Sequence, residues 1–263
     1  MFDKWLEQQS VEQPGGKLHY EALVESGRLD DEELMGQLGH DVARNYLNPS
    51  ELAYVFDDLG SPEVAKYLRA NKFPTRLAVR HGDFGEIVTA ALYRRVRGWC
   101  VPILKLRYKQ TPNQAVQGTD VLAFRFRQTP PVIAVPEVKT RATRKRDLGK
   151  EAYDSLEKVL DRLDESIHFA MVRCAERNHL FLVRHLAGLL RHPKERVVER
   201  HMVFVHDALA WKDDVVDILA GVVTQRTELT VVKIRSLQEF VARVFKAAET
   251  GAGPRRTKTS EDA

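Results

Sequence analysis

Glu137-Val-Lys139 sets a carboxylate and an ammonium two residues apart. On a β-strand, side chains at i and i+2 share one face. The preceding Val132-Ile-Ala-Val is apolar at every position, as in a central strand buried on both faces. A charged pair at the end of such a strand sits where a sheet commonly opens into a cleft. Asp120 begins the strand before it, and Gln128-Thr-Pro-Pro between the two is a turn, so a hairpin is expected. In an antiparallel hairpin the start of one strand lies beside the end of the next. Asp120 and Glu137 are therefore expected neighbours. Their hard oxygen atoms suit Mg2+ or Mn2+. Lys139 would orient a water or help deprotonate it, while the metal polarises a phosphate and stabilises the leaving oxygen.

Each part also has a plain structural reading. Glu137 and Lys139 fit a strand-face ion pair, of small energetic weight on a surface. Asp120 follows Gly118-Thr119 and fits a turn. Glu86, a third acid upstream, fits a capping box in Asp83-Phe-Gly-Glu86 with Asp83 as the helix N-cap. Their combination in order along the chain is more specific than any one of them.

The elements that must position these residues can be read from periodicity. A helix is expected from Asp83 to about Gly98. Three strands follow, Val101 to Tyr108, Asp120 to Phe126 and Val132 to Lys139. A long helix runs from about Asp147 to Cys174 and another covers Leu180 to Leu190. Val203-Phe-Val-His is a short strand, Val215–Val223 a helix, Leu229–Ile234 a strand and Leu237–Ala248 a helix. The expected fold is α/β, a mixed central sheet with an αβββαβ core. Residues 1–78 read as an acidic, mostly helical N-terminal region, with helices opening at Asp30, Ser50 and Ser61. The domain carrying Glu86, Asp120, Glu137 and Lys139 would span 79–248, and the Gly/Pro/Arg/Lys-rich residues 249–263 form a disordered tail.

The net charge of +4 hides an asymmetry. Residues 1–60 hold thirteen acidic and four basic side chains, a net of −9, so the remainder carries +13. Clustered positive charge is an electrostatic footprint for a polyanion. Lys105 and Arg107 alternate with Leu104 and Leu106, so on a strand they share a face. They fit phosphate contacts near the metal and a solvated sheet face equally well. Arg141, Arg144, Lys145 and Arg146 follow directly on Lys139, where they would grip a DNA backbone.

Glu86 in a helix, Gly118-Thr-Asp120 at a strand start and Glu137-Val-Lys139 closing the next strand together resemble the PD-(D/E)xK, or restriction-endonuclease-like, superfamily. That resemblance implies Asp120 and Glu137 as metal ligands, Lys139 beside the attacking water and Glu86 in the metal site or next to it. The sequence departs from the family pattern in that Thr119, not proline, precedes Asp120; Pro136 instead precedes Glu137. A narrower resemblance covers residues 79–235. Arg80-His-Gly-Asp-Phe-Gly-Glu86, Lys105-Leu-Arg107, Gly118-Thr-Asp120 and Glu137-Val-Lys139 are similar to the nuclease subunit of the Hachiman antiphage system. It implies a DNA-cleaving defence enzyme restrained by a partner helicase.

Other chemistries are excluded by what the sequence lacks. The histidines are scattered with no HExxH pair, and neither a Gly-x-Ser-x-Gly elbow nor a Walker-type loop occurs. Any helicase must therefore be a separate subunit. The two cysteines, Cys100 and Cys174, lie outside any CxxC and suit a reducing cytoplasm. No apolar run approaches the roughly 20 residues of a membrane span, and Met1-Phe-Asp-Lys-Trp-Leu does not read as a secretory signal. Two further readings follow: a catalytically inactive nucleic-acid-binding or regulatory subunit, and an enzyme whose acidic residues 1–60 cover the basic surface. Oligomeric state is not legible here.

Overall fold

The computed structural model describes residues 2–47, 71–114, 116 and 118–250. A six-stranded mixed sheet, ordered β1-β2-β6-β5-β4-β3, carries the fold. Its strands are β1 (Leu6–Glu12), β2 (Leu18–Glu25), β3 (Ala123–Arg125), β4 (Val132–Arg141), β5 (Val197–Asp207) and β6 (Thr227–Ile234). The four central strands run parallel, and β1 and β3 close the two edges antiparallel. The helices are α1 (Phe2–Trp5), α2 (Asp31–Tyr46), α3 (Leu77–Ala91), α4 (Leu148–Leu160), α5 (Leu163–Glu176), α6 (Leu180–Arg191), α7 (Asp214–Val222) and α8 (Leu237–Thr250). The α/β class with a mixed sheet is as expected.

Alternation along the strands divides the core into two layers. Val205, Val232 and Ile234 face α2, α3 and α8, where Leu38, Phe84, Ile87 and Phe245 pack. Ile133, Val135, Met202 and Phe204 face the other way, onto Leu148, Leu156, Ile167 and Leu219 of α4, α5 and α7. Strands buried on both faces explain why β4 and β5 read as apolar runs rather than as alternation.

The N-terminal region differs from expectation: its described residues are not mostly helical. The β1–β2 hairpin pairs in parallel with β6 through Leu18–Val24. The signal lies in Leu18, Tyr20 and Ala22, buried at every second position, and in Gly15 and Gly16, whose positive φ angles make the turn. The helix opening at Asp30 is present, and Asp30 caps it by accepting from Glu32 and Glu33. The helices expected at Ser50 and Ser61 and the tail from residue 251 on lie outside the described residues; residues 249 and 250, expected in the tail, instead close α8.

Val101–Tyr108 is not a strand. Cys100 makes a single bridge to Phe124, and the chain then leaves the sheet. Pro102 lacks a ladder donor, and Leu104, Lys105 and Leu106 are buried in succession, which a half-buried strand forbids. Lys105–Tyr108 is a 3-10 turn. Only Ala123–Arg125 of the segment from Asp120 to Phe126 pairs as strand. The helix expected from Asp147 to Cys174 breaks at Asp161–Arg162 into α4 and α5. The helix expected to start at Asp83 begins at Leu77 and ends in a π-helical turn, Leu92–Val96.

Candidate functional site

Strand β4 positions the site. Backbone N–H groups alternate sides along a strand. The Val138 N–H points to the β3 edge, where it donates to Asp120 Oδ2 at 3.0 Å. Since β3 pairs with β4 only through Val132–Ala134, that edge is open beyond Ala134. Pro136 shares the side of Val138 and has no N–H to leave unpaired there. Asp120 therefore seals the edge and is aimed by the backbone that carries Glu137. This is the neighbourhood expected from the hairpin.

Glu137 and Lys139 share the face turned toward α4. Lys139 Nζ meets Glu137 Oε1 at 2.7 Å, with the glutamate side chain 8% exposed and the lysine 27%. Burial pushes the Glu137 carboxyl above its usual range; the charge of Asp120 adds to this, and Lys139 opposes it.

Glu86 lies on the opposite face. A Cβ at Gly85 would stand 2.1 Å from Thr140 Oγ1 and 3.0 Å from Val138 Cγ1, so α3 sits tightly on the Val138–Thr140 side of β4. Glu86 reaches Asp120 through Lys105, whose Nζ is 3.4 Å from Glu86 Oε2 and 3.2 Å from Asp120 Oδ1. Burial pushes the Glu86 carboxyl up to about 8; Lys105 opposes this, and Asp120 and Asp83 reinforce it. Burial alone would lower the Lys105 ammonium, but the two carboxylates outweigh it and raise it. The four expected site residues, with Lys105 joining two of them, thus form a chain, Glu86–Lys105–Asp120–Glu137–Lys139, wrapped around the edge of β4. They do not converge on a single point.

Among the described residues no three Asp, Glu, His or Cys side chains are placed to enclose a metal. The donor chemistry still fits Mg2+ or Mn2+. Mg2+ is usually held by one or two carboxylates, with waters and substrate phosphate oxygens completing its shell. Asp120 and Glu137 supply such a pair. Glu86 Oε2 is buried without a well-aligned hydrogen bond, an acceptor that a cation or its water would satisfy.

The basic residues separate by role. Lys105 is buried inside the acidic chain and is not a surface phosphate contact. Arg107 donates to the Arg44 carbonyl at the end of α2, so the two do not share a face. Arg141, Arg144 and Arg146 are exposed just past Lys139, with Lys145 half-buried. Arg144 pairs with Asp214 and Lys145 with Glu151. Exposed pairs of this kind contribute roughly 0–1 kcal/mol and open readily for a polyanion.

By sequence Asp83 fits a helix N-cap. It is instead buried within α3, accepting from Tyr46 Oη and Lys109 Nζ. Burial raises its carboxyl, opposed first by Lys109. This trio ties α2 to α3 one turn before Glu86. No local signal gave this: Arg80, at helical spacing from Asp83, is the base the sequence offers, and it pairs with Glu249 instead.

The HamA family model matches residues 1–248, and the chain belongs to that family, a component of the Hachiman antiphage defence system. No curated protein sequence matches the chain significantly.

Proposed function

We propose that this HamA-family chain is the nuclease of its defence system, hydrolysing DNA phosphodiester bonds with Mg2+ or Mn2+ under the control of a partner helicase. The observation that carries this reading is the edge of β4. There the backbone itself aims Asp120 at the strand that presents Glu137 and Lys139. A bound metal would supply Lewis-acid stabilisation of the phosphate and lower the pKa of a water. Asp120 and Glu137 would hold it. Lys139, as an ammonium, would orient the attacking water and steady the negative charge that develops on the phosphate, while the water's proton leaves to solvent or to a phosphate oxygen. Glu86 and Lys105 fix the inner side of Asp120. Arg141, Arg144, Lys145 and Arg146 hold the backbone on either side of the scissile phosphate. Among the described residues no helix is long and apolar enough to cross a membrane, which accords with an enzyme working on DNA in the cytoplasm.

The alternative of an inactive binding subunit draws on one observation: each carboxylate in the chain already has a lysine or backbone partner. Those pairs equally describe a resting enzyme whose site is held by its own ammonium groups. The discriminating experiment is cleavage of DNA with Mg2+ or Mn2+ against a chelator control, with and without the helicase. Cleavage that requires the metal and is lost in Glu137→Ala and Lys139→Ala is expected. Cleavage unchanged in both variants would remove the assignment.

A further inference from the structure

The acidic chain opens into a cavity of about 380 Å³, within the roughly 300–1,000 Å³ range of small-ligand sites. It lies beyond the edge of β4, between the 101–122 segment and α4–α5, and Glu86, Lys105 and Asp120 form its floor. Its walls are mostly apolar, with Leu122, Val159 and Phe169 among them, and Asn45 and Ser166 add polar groups. Thr119 also lines it, and its hydroxyl has no protein partner. Phe169 continues outward as an edge-to-face pair with Tyr108, ring centroids 5.7 Å apart. Arg173 lies over both rings and Arg177 over Tyr108. Arg162 and Lys158, both exposed, stand on the rim.

The wall is flat, aromatic and apolar, carries a few hydrogen-bonding groups, and is fringed with arginine. That is the chemistry of a base-stacking site with phosphate contacts outside it. An apolar ligand alone would leave Ser166 and the unpartnered Thr119 hydroxyl without a role. A base in a duplex is stacked and paired, so it reaches such a cavity only after leaving the helix, at a cost of a few kcal/mol. A base in a single strand enters at little cost. We propose that this cavity holds one unpaired nucleobase next to the phosphate being cut, making single-stranded DNA the preferred substrate. This rests on the nuclease reading of the same site.

The test uses the full chain with Mg2+ or Mn2+ and three probes. These are a single-stranded DNA oligonucleotide, its blunt duplex, and single strands in which one abasic residue is moved stepwise through the cleavage position. The single strand should be cut at least about tenfold faster than the duplex, and one abasic position should lower cleavage by about tenfold. Ser166→Trp fills the cavity and Phe169→Ala removes its stacking wall. Both should flatten the abasic profile by lowering cleavage of the intact strand about tenfold, toward that of the abasic one. The wild-type profile decides the matter if either variant misfolds. Equal rates on single strand and duplex, or a flat abasic profile in the wild type, would overturn the cavity proposal and leave the nuclease reading standing. No cleavage of any probe would overturn both.

Discussion

Asp120 is the residue at which the two faces of β4 meet. Its Oδ2 is fixed by the Val138 N–H and its Oδ1 by Lys105, so it has little freedom to swing away from Glu137. Asp120, Glu137 and Lys139 were legible because one apolar run, one turn and one hairpin rule placed them together. Lys105 and Asp83 were not. Lys105 alternates with leucines and so imitates a strand face. Asp83-Phe-Gly-Glu86 imitates a capping box, whereas its true partners, Tyr46 and Lys109, stand 37 and 26 residues away. Local patterns cannot report on such partners. The buried Asp83 yields a prediction at this scale. Asp83→Ala leaves the Lys109 ammonium buried without its carboxylate and should cost about 3–5 kcal/mol in urea unfolding. The double replacement Asp83→Leu with Lys109→Met should recover most of that. A single variant as stable as the wild type would show that the pair is not buried as described.

At the scale of elements, the contact of α3 with β4 sets where Glu86 can be. Gly85 permits it, and a methyl group there meets Thr140 Oγ1 and Val138 Cγ1. Gly85→Ala should therefore destabilise the chain by about 1–3 kcal/mol, even though alanine favours a helix over glycine. Removing the hydroxyl in Gly85→Ala with Thr140→Ala should restore part of the loss, measured as Tm by differential scanning calorimetry. A rise in Tm for the single variant would place α3 farther from the strand. Strands β4, β5 and β6 were visible as apolar runs, β5 only in its Val203–His206 part, but their parallel pairing was not. The segment after Cys100 misled because Pro102 and the inward pull on Lys105 take it out of the sheet, a tertiary effect that alternation does not encode.

At the scale of the whole molecule, the charge asymmetry is real, but the described part of its acidic half, residues 2–47, is not a detachable cover. Strand β2 pairs with β6, and α2 shares its core with α3 and α8. Gly39 of α2 stands so close to α8 that a Cβ would meet Ala247 at 2.9 Å. Removing residues 1–26 would strip two strands and expose the long edge of β6, an invitation to aggregate. That truncation should lower the yield of soluble, folded chain, seen by size exclusion and circular dichroism, rather than raise DNA affinity. A well-folded, more active truncated chain would favour the covering role instead. A restraint on the proposed enzyme would then act on the site as built, through the lysine-held carboxylates or through a partner.

In the proposed site, Asp120 and Glu137 together would hold a divalent ion at the edge of β4. Mn2+ titration followed by electron paramagnetic resonance, with a non-cleavable phosphorothioate oligonucleotide present, reads this without turnover. The wild type should bind the ion. Asp120→Asn and Glu137→Gln should each weaken binding by more than the roughly 10–100-fold that loss of an outer partner costs, and Lys139→Met should keep it. Equal binding in the wild type and in both carboxylate variants would contradict the account.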